Sequence, residues 1–147
     1  MPTFEGGESE DAYLPSLCLY IAGPMRGKPG YNYGTFNEVA ANLRADGWMV
    51  SNPAEHFGGD TSLPVGAYLR EACRALAECD GIVLLHGWQE SEGARMEYAI
   101  AQAIGLHMFT LRWMGNPDEG NTAMTLRPMR HTPPLVVPAA LNIGGES

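Results

Sequence analysis

Short apolar runs alternate along this chain with longer stretches whose apolar residues recur at helical spacing. Leu17 to Ala22 is an unbroken apolar run of strand length that stops at Gly23-Pro24. Phe36, Val39, Ala40 and Leu43 then follow a helical repeat, preceded by Thr35 and Glu38 in the pattern of a capping box and stopped by Gly47. This predicts a helix from about Phe36 to Asp46. Trp48 to Ser51 reads as a second strand closed by Asn52-Pro53, and a Gly-rich loop from His56 to Ser62 leads into a helix from Pro64 to about Glu78. Leu69, Cys73, Leu76 and Ala77 are its expected apolar face. Asp80-Gly81 opens Ile82 to Leu85, a third strand too short for a buried helix; a polar loop from His86 to Ser91, a helix from Glu92 to Ile104 and a fourth strand from Leu106 to Leu111 follow. Past about residue 113 the chain is rich in Pro, Gly and Asn and predicts an irregular tail, with only Pro134 to Pro138 suited to a fifth, edge strand. Residues 1–16 are polar and Gly-rich, and read as a flexible segment ahead of one domain spanning 17–147.

Strands alternating with helices imply βαβ units and right-handed crossovers, hence an α/β fold. The expected architecture is a doubly wound, Rossmann-like parallel sheet in three αβα layers, with strand order 2-1-3-4-5. At 147 residues, 45% hydrophobic, the chain fits one core that folds without staples. A net charge of -8 with nine Lys and Arg argues against a grip on a nucleic acid polymer, while leaving room for a small anion on backbone amides. Cys18, Cys73 and Cys79 form no CxxC pair and read as buried free thiols of a reducing compartment; no apolar run spans a membrane, and the acidic start does not resemble a signal peptide. The expectation is therefore a cytoplasmic protein without a membrane partner.

Open parallel sheets bind ligands beyond the carboxyl ends of their strands, where the winding reverses. In this order that point lies between strands one and three. The loops leaving them are Gly23-Pro24-Met25-Arg26-Gly27 and His86 to Gly93. The first supplies flexible backbone and one cation, which suits a sugar or phosphate and equally suits a plain turn. In the second, Ser91 is a natural N-cap that can serve as cap and ligand at once. Glu97 lies about one and a half turns into the following helix, among Ala94, Met96, Ala99, Ile100 and Ala103; helical spacing alone favours a surface carboxylate beside Arg95 over a functional one. Tyr33, Phe36, His56 and Trp88 are aromatic candidates for stacking on a base or for lidding the core. Asp80, at the start of its strand, reads as a turn residue, and the four histidines show no ligand spacing. No metal and no cofactor are assigned.

Leu19-Tyr20-Ile21-Ala22-Gly23-Pro24-Met25-Arg26-Gly27, then Asn52-Pro53-Ala54, Asp80 to Leu85, and Ser91-Glu92-Gly93-Ala94-Arg95-Met96-Glu97 together resemble the nucleoside 2-deoxyribosyltransferase superfamily over residues 17–111, above all its small phage and bacterial members. The resemblance implies a retaining displacement in which Glu97 attacks the anomeric carbon, the base departs, and water or a second base takes the sugar. It implies that Tyr20 holds this glutamate by a hydrogen bond, and that Gly23, Pro24, Met25, Arg26, Gly27, Asn52, Trp88, Ser91 and Gly93 line the substrate pocket. A Ser six residues before the glutamate is similar to the nucleoside 5'-monophosphate N-glycosidases, where it binds phosphate; free-nucleoside transferases carry Asp there. Two positions depart from the pattern. Ala72 stands where a second carboxylate is usual, with Glu71 adjacent but about 100° around the helix. Glu92 sits beside Ser91, where its charge opposes a phosphate.

The leading expectation is thus hydrolysis of the N-glycosidic bond of a (deoxy)nucleoside 5'-monophosphate. Base exchange on free deoxynucleosides is the alternative within the enzymes, and a non-catalytic nucleotide-binding or signalling module is the alternative outside them. The expected partner is a small nucleoside or nucleotide, in a homodimer or larger homo-oligomer.

Overall fold

A computed structural model of the chain describes residues 17–116 and 121–129. Its elements are β1 (Cys18–Ala22), α1 (Tyr33–Ala45), β2 (Met49–Ser51), α2 (Val65–Glu78), β3 (Gly81–Leu84), α3 (Glu92–Ala103), β4 (His107–Asn116) and β5 (Asn121–Pro128), with short 3-10 turns at Pro29–Asn32, Pro53–Gly59 and Trp88–Glu90. One five-stranded sheet runs in the order β2-β1-β3-β4-β5. β1 pairs in parallel with β2 and β3, and β3 with β4, whereas β4 and β5 are antiparallel. This is a three-layer, Rossmann-like αβα sandwich, doubly wound as the alternation of elements predicts.

Side-chain alternation along the central strands divides the core in two. Leu19, Ile21, Val83 and Leu85 face α1 and pack on Phe36, Val39, Ala40 and Leu43. Tyr20, Ala22, Ile82 and Leu84 face the other way, against Ala72, Ala75 and Leu76 of α2 and Ala101 of α3. All of these are at most 7% exposed, and burying each large aliphatic side chain is worth about 1.5–3 kcal/mol before conformational entropy is counted.

Three expectations are corrected. The chain past residue 113 is not irregular over residues 114–116 and 121–128: β4 continues to Asn116 and β5 pairs with it, Leu111 with Leu126 and Trp113 with Met124. The fifth strand is therefore antiparallel and built from Asn121–Pro128; Thr, Arg and Asn hide its alternation from an apolar-run search. Pro134 to Pro138, like residues 1–16, lies outside the described residues. α1 starts at Tyr33, not Phe36, because the left-handed turn through Gly30, Tyr31 and Asn32 already swings the backbone into the helix, and Thr35 caps nothing. The buried face of α2 is Ala72, Ala75 and Leu76, whereas Leu69, Cys73 and Ala77 are exposed; small residues let this helix lie close on the sheet. Among the described residues no helix is long and apolar enough to cross a membrane.

Candidate functional site

β1 and β3 end level with each other, Ala22 opposite Leu84, so their loops leave the sheet side by side at the point where the winding reverses. Leu85 N–H donates to Ala22 O at 2.8 Å, which holds the two exits together. Gly23 is required by this approach, since a Cβ there would lie 2.7 Å from Leu85 Cβ. Across from it Gly87, with φ +86°, turns the second loop beside Pro24. The Gly23–Gly27 loop is part scaffold and part rim. Pro24 is buried and its carbonyl accepts the Asn32 amide at 2.9 Å, Met25 packs on the α1-side core, and Arg26 and Gly27 are exposed.

Tyr20, fully buried on the α3 side of the sheet, reaches the middle of that helix. Its hydroxyl donates to Glu97 Oε2 at 2.6 Å. Glu97 is only partly exposed and shares a stripe with Ala94, Tyr98 and Ala101, the i, i+3, i+4 and i+7 positions of α3 that turn toward the core. The surface-carboxylate alternative is thereby removed, and the inward face is not the one carrying Met96, Ala99 and Ala103. Burial pushes the Glu97 carboxyl up to about 7, against the opposing pull of the Tyr20 hydrogen bond. Burial also holds the Tyr20 phenol well above its ordinary range, with Glu97 adding to it, so the hydroxyl stays a donor at all physiological pH.

The helix behind the second loop starts as its sequence predicts. Ser91 is the N-cap of α3, its Oγ accepting the Ala94 N–H at 3.2 Å. The N–H groups of Glu92 and Gly93, in the first turn, have no intrahelical partner and point out of the helix end. Glu92 is exposed there. Trp88 is half-buried against Tyr98, ring centroids 4.6 Å apart, and packs on the cluster that contains Tyr20. Tyr98 was missed by sequence reasoning; its place one residue after Glu97, four after Ala94, was the available signal.

Asn52 belongs to the scaffold. It is 1% exposed, its Oδ1 accepts the Ala54 N–H at 3.0 Å and its amide donates to Asn37 at 2.9 Å, which commits the carboxamide to capping the turn after β2. That turn carries His56 to within 6.3 Å of Tyr20, measured between ring centroids at a 50° tilt. Burial lowers the His56 pKa, with Glu71 opposing, so the imidazole is neutral near pH 7. Ala72 is buried in the Tyr20 cluster, and Glu71 is bound to Arg74 on the same helix, so the second-carboxylate position is apolar and its neighbour is engaged elsewhere. Asp80 keeps to a turn role, accepting Cys18 N–H at 2.8 Å. Among the described residues no three His, Cys, Asp or Glu side chains gather as a metal site.

The family described as a domain of unknown function, DUF4406, matches residues 17–110. The chain belongs to that family. The match covers β1 through the first part of β4 and so includes every element of the site just described. No curated protein matches this DUF4406 member. Among solved structures it is similar to a 2-desoxiribosyltransferase from Leishmania mexicana, at 19% identity and a TM-score of 0.53, over 64% of this chain and 63% of that one. At that identity the likeness is one of fold, and the DUF4406 chain spans less than two thirds of the length of that neighbour.

Proposed function

We propose that this DUF4406 protein hydrolyses the N-glycosidic bond of a (deoxy)nucleoside 5'-monophosphate, with Glu97 as nucleophile. The observation that carries the reading is the Tyr20–Glu97 pair, 2.6 Å apart, under the loops that leave β1 and β3. A carboxylate surrounded by protein is poorly solvated, so it gains most when positive charge develops on a sugar beside it, as in an oxocarbenium-like transition state. The Tyr20 hydroxyl orients it and favours the ionised form. The carboxylate attacks the anomeric carbon as the bond to the base breaks, giving a glycosyl ester that water then hydrolyses. Gly23, Arg26 and Gly27 form the rim on one side; Ser91, Gly93 and Trp88 form it on the other. The phosphate is assigned to the α3 N-terminus, where the Ser91 hydroxyl, the Gly93 N–H and the exposed Arg26 supply donors.

Deoxyribosyl transfer between free nucleosides is the second reading. It is favoured by the fold likeness to a 2-desoxiribosyltransferase and by Glu92, whose charge beside Ser91 disfavours a phosphate. The chain is proposed to act as one domain, in the cytoplasm and as a homo-oligomer. Incubating it with a panel of nucleosides and 5'-monophosphates, with and without a second base, separates the readings: released base from monophosphates supports hydrolysis, exchange of bases supports transfer, and neither with any member supports a binding module.

A further inference from the structure

Cys18 and Cys79 lie far apart in the chain, yet their sulfurs are 3.1 Å from each other. The fold holds them there through Asp80. Cys18 opens β1, its N–H donates to Asp80 Oδ2 at 2.8 Å, and its carbonyl accepts the Asp80 N–H at 2.8 Å. Cys79 closes α2, its N–H donating to Leu76 O at 3.1 Å. Both cysteines line a groove of about 440 Å³ together with His56, Glu71 and Arg74, so the pair is reachable by small solutes although Cys79 itself is buried. Cys73 is exposed on the outer side of the same helix.

We propose that Cys18 and Cys79 are a redox site, converted by a peroxide into a reversible disulfide that ties the end of α2 to the start of β1. Cys18, the more accessible of the two, reacts first: its thiol gives up a proton, the thiolate attacks one peroxide oxygen, the O–O bond breaks, and hydroxide leaves to take up that proton as water. The Cys79 sulfur then attacks the Cys18 sulfur, the S–O bond breaks, and a second water departs with the proton from Cys79. One peroxide is reduced to two waters and two thiols are oxidised by two electrons; an external dithiol reverses the exchange. Burial, together with Cys18, Asp80 and Glu78 nearby, pushes the Cys79 thiol up, so Cys79 stays protonated while Cys18 meets the peroxide. A disulfide needs the sulfurs at about 2.05 Å, so the gap closes by roughly 1 Å. β1 is pinned between β2 and β3, and the last turn of α2 makes the adjustment.

The test treats the folded full chain with hydrogen peroxide, blocks remaining thiols with an alkylating agent, and maps peptides by mass. Alkylatable thiols are expected to fall from three to one, with Cys18 linked to Cys79 and Cys73 alkylated. Tm should rise in the oxidised form and return with dithiothreitol. Cys73→Ser should give the same link, and Cys18→Ala should give none. A link through Cys73 between copies, Cys18 over-oxidised to sulfinic acid without a crosslink, or all three thiols still alkylated would each overturn the proposal. The parent and Cys73→Ser decide the matter by themselves should Cys18→Ala fail to fold.

Discussion

Replacing Glu97 by Gln tests the chemistry and the electrostatics of the site at once. The carboxyl is raised from its ordinary 4.5 to about 7 by burial. Between those values the folded protein holds a proton that the unfolded chain has already lost, so stability falls as pH rises through this window, and the full penalty stands above pH 7. At ~1.36 kcal/mol for each tenfold in proton affinity the penalty is about 3 kcal/mol, an upper value because the side chain is partly exposed. Gln fills nearly the same volume, accepts the Tyr20 hydrogen bond through its carbonyl, and carries no charge to desolvate. Glu97→Gln is therefore expected to be more stable than the parent by roughly 1–3 kcal/mol at pH 8.5, a gain of several degrees in Tm, and indistinguishable from it near pH 4.

The same variant is expected to lose nearly all base release, since an amide cannot form the glycosyl ester. Paired thermal melts at pH 4 and 8.5 and a base-release assay on one preparation read both effects. A Tm equal to or below the parent at pH 8.5, or a gain that does not depend on pH, would refute the claim that Glu97 is held in an unfavourable environment. Activity within about tenfold of the parent, only ~1.4 kcal/mol of barrier, would refute its role as nucleophile.

Tyr20→Phe removes a hydrogen bond that favours ionised Glu97, so the acidic limb of the activity profile should move to higher pH and base release near pH 7 should fall by about tenfold or more; an unchanged limb would mean the bond is only structural. Ser91→Ala loses an N-cap worth about 1 kcal/mol and should lower kcat/KM for monophosphates by about tenfold to a hundredfold while sparing free nucleosides; an equal loss on both would favour deoxyribosyl transfer. Glu92→Gln is expected to raise monophosphate turnover, and no change would move the phosphate away from the α3 N-terminus. Residues 111–116 of β4 extend past the last β3 pairing, Leu84 with Thr110, as a two-stranded ribbon with Trp113 44% and Met114 50% exposed; such ribbons are marginal alone, so sedimentation should show a dimer or larger, and a fully active monomer at micromolar concentration would count against it.

The parts of the fold that were readable in the sequence are those where one local rule decides. Breakers frame β1 and β3, and Ser91 caps α3 because its hydroxyl sits three residues before the N–H it accepts. The strand order was reachable as a common doubly wound arrangement of alternating strands and helices, but the antiparallel β5 was not, since its place is fixed by pairing along β4 rather than by an apolar run. Face assignment failed on α2 because hydrophobicity ranks Leu69 above Ala72, whereas close packing on a sheet favours the smaller side chain. At the site, the facing loops were legible from topology. The burial of Glu97 was not, because helical spacing leaves its face open until Tyr20 and Tyr98 are placed around it.

The apolar position at Ala72 bears on how the proposed reaction must run. With Ala72 packed in the Tyr20 cluster and Glu71 held by Arg74, α2 offers no free carboxyl to protonate a departing base. His56, the nearest ring to Tyr20, is neutral near pH 7 and is a weak acid there. The base must then be protonated by solvent hydronium before it leaves, and that protonated form becomes scarcer as pH rises. Attack by Glu97 requires the ionised form and becomes harder as pH falls below about 7. These two demands oppose each other. The proposed reaction is therefore expected to run best in a narrow range around neutrality, on substrates whose base tolerates departure with little acid assistance, and a base-release profile still rising at pH 9 would count against it.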